Sequence, residues 1–566
     1  MNIDNSIEPG PDSPYSQYQN GGVVNEKYKV RDIADLPNDL FLLVTSYLSP
    51  QDCILCRRVS RAWLEAFGSA DASWNFMRWH FARSREMRAA AEELGEKPDW
   101  PRIFAKVARR YYYLRAARPR LVEKIDVVQE AMTDNNKAFR AVSPWRRWLQ
   151  WNENVATFQH RDPTWCYDGG LLVYQEAVSE RYVAYDLETR HRFSVPFDGA
   201  DKTVRRLRLT CGVLVVEWCE REPYHQLNDG VPVHRHFATA FDVRRRKIES
   251  SASTEFTWDI TFKSEWKIHF LGLPLNSHDR FFSTHTATHY ALYLWQPNRS
   301  PWGEEDPLEQ LTVWDIATPS PYRLSLDPTG VAKPGPGEAG PNVVNRFTWR
   351  DLEFLGLRQR HTPSLREILL DEQNVYVHEE EHRWLAGQHS SLSPPRHHQV
   401  RCTGVPFVGA GPRWFDECCA DGDVHMSFCP RAGSLARVSG GNTPTTTTWP
   451  GRAPCWRHEE FPYLTVSDAV DADAGVRVVA RQCFMVEALS SFVLPKISVE
   501  EKKGLENADG EKEEGDDEDE LDEQLQTEVR FADDMWWELL AKGRIAGDER
   551  WVVGEDRDGR VTIVRF

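Results

Sequence analysis

The sequence predicts a multidomain protein. An all-α N-terminal portion leads through a helical neck into a mostly-β domain, expected as a β-propeller of about six to eight blades, with paired β-sandwiches as the alternative. Three observations carry this. Several short amphipathic helices are packed between Ile33 and Trp79, each with its own start and stop signals. The hydrophobic period changes from 3.6 to two near Trp148, after which β-branched and aromatic runs alternate with Gly, Pro, Asn and Asp clusters. The length of 566 residues exceeds a single core of ~100–200 residues.

In the first helix, Leu40, Leu43, Val44, Tyr47 and Leu48 recur at helical spacing after Leu36, and Pro37 stands early, where its missing N–H costs nothing. Ser49 is placed to cap the next helix, with Pro50 in its first turn and Asp52 at the position of a capping-box acid. Leu55, Cys56 and Val59 form that helix's stripe. Ser60 caps a third helix bearing Trp63, Leu64 and Phe67, which Gly68 is expected to end in the left-handed conformation. A fourth, opened by Ser69–Asp71, carries Trp74, Phe76 and Trp79. So small a unit cannot bury all of these faces within itself.

The order Leu-Pro with leucines, YLSPQD, VSRAW and a later Trp resembles the F-box, over about a tenth of the chain. The resemblance implies a helical module that grips the Skp-type adaptor of a cullin-based ubiquitin ligase. Carried over residue by residue, it implies an adaptor-facing role for Leu36, Pro37, Leu40, Val44, Leu48, Val59 and Trp63. Cys53 and Cys56 stand where aliphatic residues are more usual and read as small hydrophobes. The expected domains are then a disordered segment at 1–30, the F-box at 31–80, a helical neck at 81–145 and the β-domain at 146–566.

In the neck, Trp100, Ile103, Phe104, Val107, Ala108, Tyr111 and Tyr112 repeat at three and four. Arg109, Arg110, Arg115, Arg118 and Arg120 interleave with aromatics, a pattern that also occurs at RNA-binding surfaces. The reading adopted is a packed helix whose arginine stems cover apolar surface, with no nucleic-acid partner.

Three segments of the β-domain, beginning near Gly169, Cys211 and Arg280, look like imperfect copies of one hairpin. Each ends a strand on an aromatic-Asp step, at Asp186, Asp242 and Asp315, which resembles the third-to-fourth strand corner of a propeller blade. The C-terminus reads as one more hairpin turning at Asp558-Gly559. Closure of the ring is expected to join it to 145–159.

The net charge is −17, but 500–523 alone holds fourteen acids and three lysines. The acidity is therefore a local insertion, expected to be disordered and solvated. The N-terminus lacks the pattern of a signal peptide, and no apolar run approaches the ~18 residues of a membrane span. Eleven cysteines without a secretory signal suit reduced thiols. On these observations the chain is expected inside the cell, in cytoplasm or nucleus or both, with the Asn298 sequon unused.

Enzyme-like motifs are weak. His378-Glu379-Glu380-Glu381-His382 fits HExxH, but it follows an alternating, strand-like run and not a helical one; a zinc hydrolase using His378 and His382 is the third reading. Gly335–Gly340 spells GxGxxG inside a proline-rich loop that cannot supply the strand–turn–helix context. Cys418, Cys419, Cys429 and Cys455, with His425 and His458, lack finger spacing. No cofactor or metal is expected. The sequence therefore points to a non-catalytic substrate receptor that docks a Skp-type adaptor, and through it a cullin, by its F-box, and holds an unidentified protein client on its β-domain. An F-box scaffold with no degradation client is the alternative.

Overall fold

The computed structural model describes residues 32–92, 98–128, 164–227, 231–250, 253–269, 281–296, 306–328, 340–360, 365–384, 396–408, 423–429, 453–459, 463–483, 496–501, 529–532, 534–540 and 544–566, with Leu275, Val331 and Gly335 between them. The expectations for 1–30, for 145–159 and for nearly all of the acidic insertion fall outside these residues. Two compact units are distinguished. One comprises the described residues up to Ala82 together with Ala89–Ala108, and the other comprises Arg83–Arg88 and the chain from Arg109 onward.

The first unit is built from a 3₁₀ turn (Ile33–Asp35) and helices α1 (Asn38–Thr45), α2 (Pro50–Cys56), α3 (Arg61–Phe67) and α4 (Ala70–His80). The caps fall where the sequence puts them: Ser49, Ser60 and Ser69 accept from the backbone N–H groups of Asp52, Trp63 and Ala72. Gly68 differs from expectation. Its φ is −96°, not left-handed, and glycine is needed there because a Cβ would lie 2.4 Å from the Leu64 carbonyl oxygen. The core is aromatic: Phe67 packs against Phe41, Trp63 and Phe76, and Phe76 against Phe104. Helices α5 (Arg85–Glu92) and α6 (Trp100–Arg115) follow.

The helical run then ends earlier than the neck reading of 81–145. Ala117 turns left-handed (φ 45°), Arg118 N–H bonds back to Tyr113 O, and Pro119 cannot continue the helix. The next residues form strand β1 (Leu121–Ile125).

Six sheets of antiparallel strands make a six-blade propeller arrangement. Blade one is β2 (Trp165–Asp168), β3 (Leu171–Gln175), β4 (Tyr182–Asp186) and β5 (Arg192–Ser194). Blade two is β6 (Lys202–Thr210), β7 (Val213–Glu220), β10 (His236–Ser250) and β11 (Ser253–Lys267), with β8 (His225–Leu227) and β9 (Val231–Val233) as a side hairpin. Blade three is β12 (Phe281–His285), β13 (His289–Gln296), β14 (Leu308–Asp315) and β15 (Asn342–Phe347), followed by α7 (Trp349–Leu355). Blade four has five strands, β16 (Leu365–Leu370), β17 (Asn374–Trp384), β18 (Arg396–Pro406), β19 (Asp423–Cys429) and β20 (Ala453–Glu459), with β20 between β18 and β19. Blade five is β21 (Tyr463–Asp471), β22 (Val476–Cys483), β23 (Lys496–Glu501) and β24 (Val529–Arg530). After α8 (Met535–Leu539), blade six takes β25 (Ala546–Gly547), β26 (Trp551–Glu555) and β27 (Val561–Arg565) from the C-terminus and β1 as its outer strand. Among the described residues, ring closure thus pairs the terminal hairpin with Leu121–Ile125, Leu121 opposite Arg565, a strand that the closure expectation did not name.

The second strands of the blades explain why the ring holds. In β7, Val213 and Val215 join the core shared with blade three, while Leu214, Val216 and Trp218 join that shared with blade one. In β13 the division is Tyr290, Leu292 and Leu294 on one side and Ala291 and Tyr293 on the other. A strand buried on both faces reads as a continuous apolar run, which is how LLVY, VLVV and YALYL read in the sequence. Polar clasps sit between these layers. Tyr290 Oη donates to Glu217 (2.8 Å), and Tyr185 Oη on β4 donates to Glu123 on β1 (2.8 Å).

The aromatic-Asp steps behave unequally. Asp186 ends β4 and accepts from the N–H groups of Glu188 and Thr189, and Asp315 ends β14 and accepts from that of Ala317. Asp242 instead lies inside β10, where the chain continues into a long two-strand arm and the carboxylate pairs with Lys263 (3.3 Å).

Candidate protein-docking site

The helical unit turns its apolar stripes two ways. In α1 the inward pair is Phe41 and Thr45, four residues apart and both buried. Leu40, Leu43, Val44 and Tyr47 also recur at helical spacing, and they face solvent, Tyr47 being 86% exposed. Helix α2 buries Cys53 and leaves Leu55 and the following Val59 outside; α3 buries Phe67 and leaves Leu64 outside. With Leu36 and Trp79, nine large hydrophobic residues of this small unit are exposed. Such a concentration marks an interaction surface.

Of the residues the sequence implicated, Leu36, Pro37, Leu40, Val44 and Val59 are exposed, and Leu48 and Trp63 are half-buried. Trp63 also has an internal task. Its indole Nε1–H donates to Asp32 Oδ1 (2.6 Å) and its ring stacks on Phe67, which fastens the 3₁₀ turn carrying Leu36 to α3. Leu43, Tyr47, Leu55 and Leu64 are exposed on the same helical unit without having been singled out. The sequence held part of the signal, since all four stand in or beside its apolar helical stripes, but which stripe faces outward is set by packing, as by Phe67 on Phe41.

Electrostatics beneath the surface are quiet. Burial, with Cys56 and Asp52 adding to it, pushes the Cys53 thiol up to about 12, so it serves as a small hydrophobe. Arg57 reaches under the helices, donating to Phe67 O (3.1 Å), Pro101 O (3.2 Å) and Ser73 Oγ (3.1 Å), and burial lowers its basicity.

The enzyme-like motifs resolve differently. His378 and His382 lie on strand β17, where four residues span about 13 Å, so the motif lacks the helical spacing that brings two histidines onto one metal. Cys429 and His425 lie on β19 and Cys455 and His458 on the neighbouring β20, whereas Cys418 and Cys419 lie outside the described residues.

Residues 33–75 match the model of the F-box-like family. No curated protein matches the chain. The chain therefore carries an F-box-like module ahead of a six-blade propeller arrangement. Such a module implies an adaptor-type role, binding Skp-type proteins, and a propeller is a protein-interaction platform. Among the described residues, no helix is long and apolar enough to cross a membrane.

Proposed function

We propose that the protein is the substrate-recognition subunit of a Skp/cullin/F-box ubiquitin ligase. The F-box-like module docks a Skp-type adaptor and through it a cullin, the propeller holds a protein client, and ubiquitin transfer takes place on other subunits inside the cell. The observation that supports this most is the outward apolar surface of Leu36, Pro37, Leu40, Val44 and Val59 on the segment that matches the F-box-like family. Leu48 and Trp63 complete the proposed adaptor contact from half-buried positions. Affinity in such an interface comes from a few desolvated apolar anchors.

Replacing Leu36 and Pro37 together by Ala in the full chain is expected to weaken binding of a Skp-type adaptor by about 2 kcal/mol or more, roughly thirtyfold, in calorimetry. Unchanged affinity with the helices intact overturns the reading. Accumulation of a protein captured on the propeller when the chain is removed from cells separates a degradation receptor from a scaffold.

A further inference from the structure

Blade four carries a row of three chemically complementary side chains that the docking function does not use. Glu367 on β16, His378 on β17 and Cys402 on β18 are cross-strand neighbours: Glu367 is in register with His378, and His378 with Cys402. His378 Nε2 lies 3.1 Å from Cys402 Sγ, and its Nδ1 lies 3.8 Å from Glu367 Oε1. Thiol, imidazole and carboxylate thus follow one another in the order that activates a nucleophile, with the carboxylate at ion-pair distance from the base.

The backbone is adapted to this order. β16 and β17 shift register between Leu365 and Glu367. Continued regularly from Leu365 opposite Glu379, the pairing would set Arg366 against His378 and Glu367 against Val377. The bulge moves the acid into the row in place of the arginine. A carboxylate beside Nδ1 favours imidazolium, and an imidazolium beside sulfur favours thiolate. The row also runs outward, from Cys402, 8% exposed, through His378 to the exposed Glu367. Other titratable positions nearby are Glu380, two residues on from His378 in β17, and His458 on β20, opposite Val400. Glu379 serves the other side of the sheet, where it accepts from Gln359 Nε2 (2.8 Å).

We propose that Glu367, His378 and Cys402 form a reactive-thiolate site that takes small electrophiles, hydroperoxides in particular. The Cys402 proton passes to His378 Nε2. The thiolate attacks the outer peroxide oxygen and the O–O bond breaks, giving Cys402 sulfenic acid and an alkoxide or hydroxide that takes the proton back from imidazolium. Sulfur loses two electrons, and the peroxide gains them.

The test uses the full-length chain. Iodoacetamide labelling is followed across pH 5.5–9, with peptide mass spectrometry reading Cys402 and, in the same sample, Cys211, whose thiol is pushed up by burial and by Asp168, so that its profile is at least as steep as an ordinary thiol's. An ordinary thiol, ionising near pH ~8.5, slows more than about a hundredfold from pH 8.5 to 6. Cys402 is expected to change by about threefold or less over that range. His378→Gln, checked for an unchanged melting temperature, is expected to restore the ordinary steep profile, and Glu367→Gln an intermediate one. Hydrogen peroxide followed by dimedone should tag Cys402 in the parent chain and not in His378→Gln. A Cys402 profile as steep as that of Cys211, no labelling at any pH, or indifference to His378→Gln overturns the proposal.

Discussion

Two histidines in the second blade show how single residues tie this protein's stability to pH. The Nδ1 of His269 accepts the backbone N–H of His236 (3.1 Å), which requires a lone pair and so a neutral ring. His236 sets Nδ1 2.9 Å from His234 O and Nε2 3.3 Å from the Arg205 guanidinium, so Nδ1 donates and Nε2 accepts. Burial is the main cause holding both below the ordinary histidine range, joined by Arg205 for His236 and by Lys267 for His269, which falls to about 4. In the unfolded chain each would titrate near ~6.5. The sign follows: between those values the unfolded chain binds protons that the folded chain refuses. Their contribution is therefore complete above pH ~6.5 and lost as pH falls towards 4, on the order of 3 kcal/mol for His269 alone. Denaturation midpoints should drop over that interval, and His269→Gln should flatten the drop. An equally steep profile in the variant would show that other groups carry it.

At the scale of elements, legibility followed the amount of local information. The serine caps of α2, α3 and α4 were readable because side chain and bonded backbone lie three residues apart. The inward choice of α1 was not, since Phe41 lies on one face and Leu40, Leu43, Val44 and Tyr47 on another, and only the partner, Phe67 packing on Phe41, decides between them. Asp186 and Asp315 marked true strand corners, while the identical step at Asp242 did not, because β11 continues to pair with β10 beyond it. β1 went unrecognised because LVEKI follows sixteen helical residues at Trp100–Arg115, and its partner β27 is more than four hundred residues away. The Glu367–His378–Cys402 row also escaped the sequence, since a bulge and two strand pairings assemble it. The acidic insertion yields a prediction at this scale. β23 and β24 pair directly, Val499 opposite Val529, so the long connection between them is not needed for their register. Glu500 and Glu501 belong to β23, opposite Arg477 and Val476, and should be kept. Deleting 502–523 leaves enough chain for a hairpin and alters mainly closure entropy, which varies slowly with length. The melting temperature is expected to stay within about 2 °C, and a larger fall in calorimetry would show that the insertion packs.

For the whole molecule, the decisive element is β27, because it is bonded on both sides. It pairs with β26 from its own hairpin and with β1 from the other end of the propeller. Truncating after Gly559 removes it, leaving β1 and β26 each with an unpaired edge. It also removes Val561, Ile563, Val564 and Phe566, all buried, of which Val561 and Ile563 pack in the core that blade six shares with Trp165, Leu172 and Tyr174 of blade one. At ~1.5–3 kcal/mol for each buried side chain, the loss is roughly 6–12 kcal/mol, comparable with the ~5–15 kcal/mol that separates a folded domain from its unfolded chain. An open ring also exposes two sheet edges to further pairing. The truncated chain is therefore expected to lose the propeller's cooperative melting transition and to be cleaved by protease at several blades, while the F-box-like module still binds a Skp-type adaptor. Calorimetry and limited proteolysis of the same preparation decide it. A retained transition, with cleavage confined to the new terminus, would mean that the inter-blade cores alone hold the ring and that the pairing of β1 with β27 is dispensable.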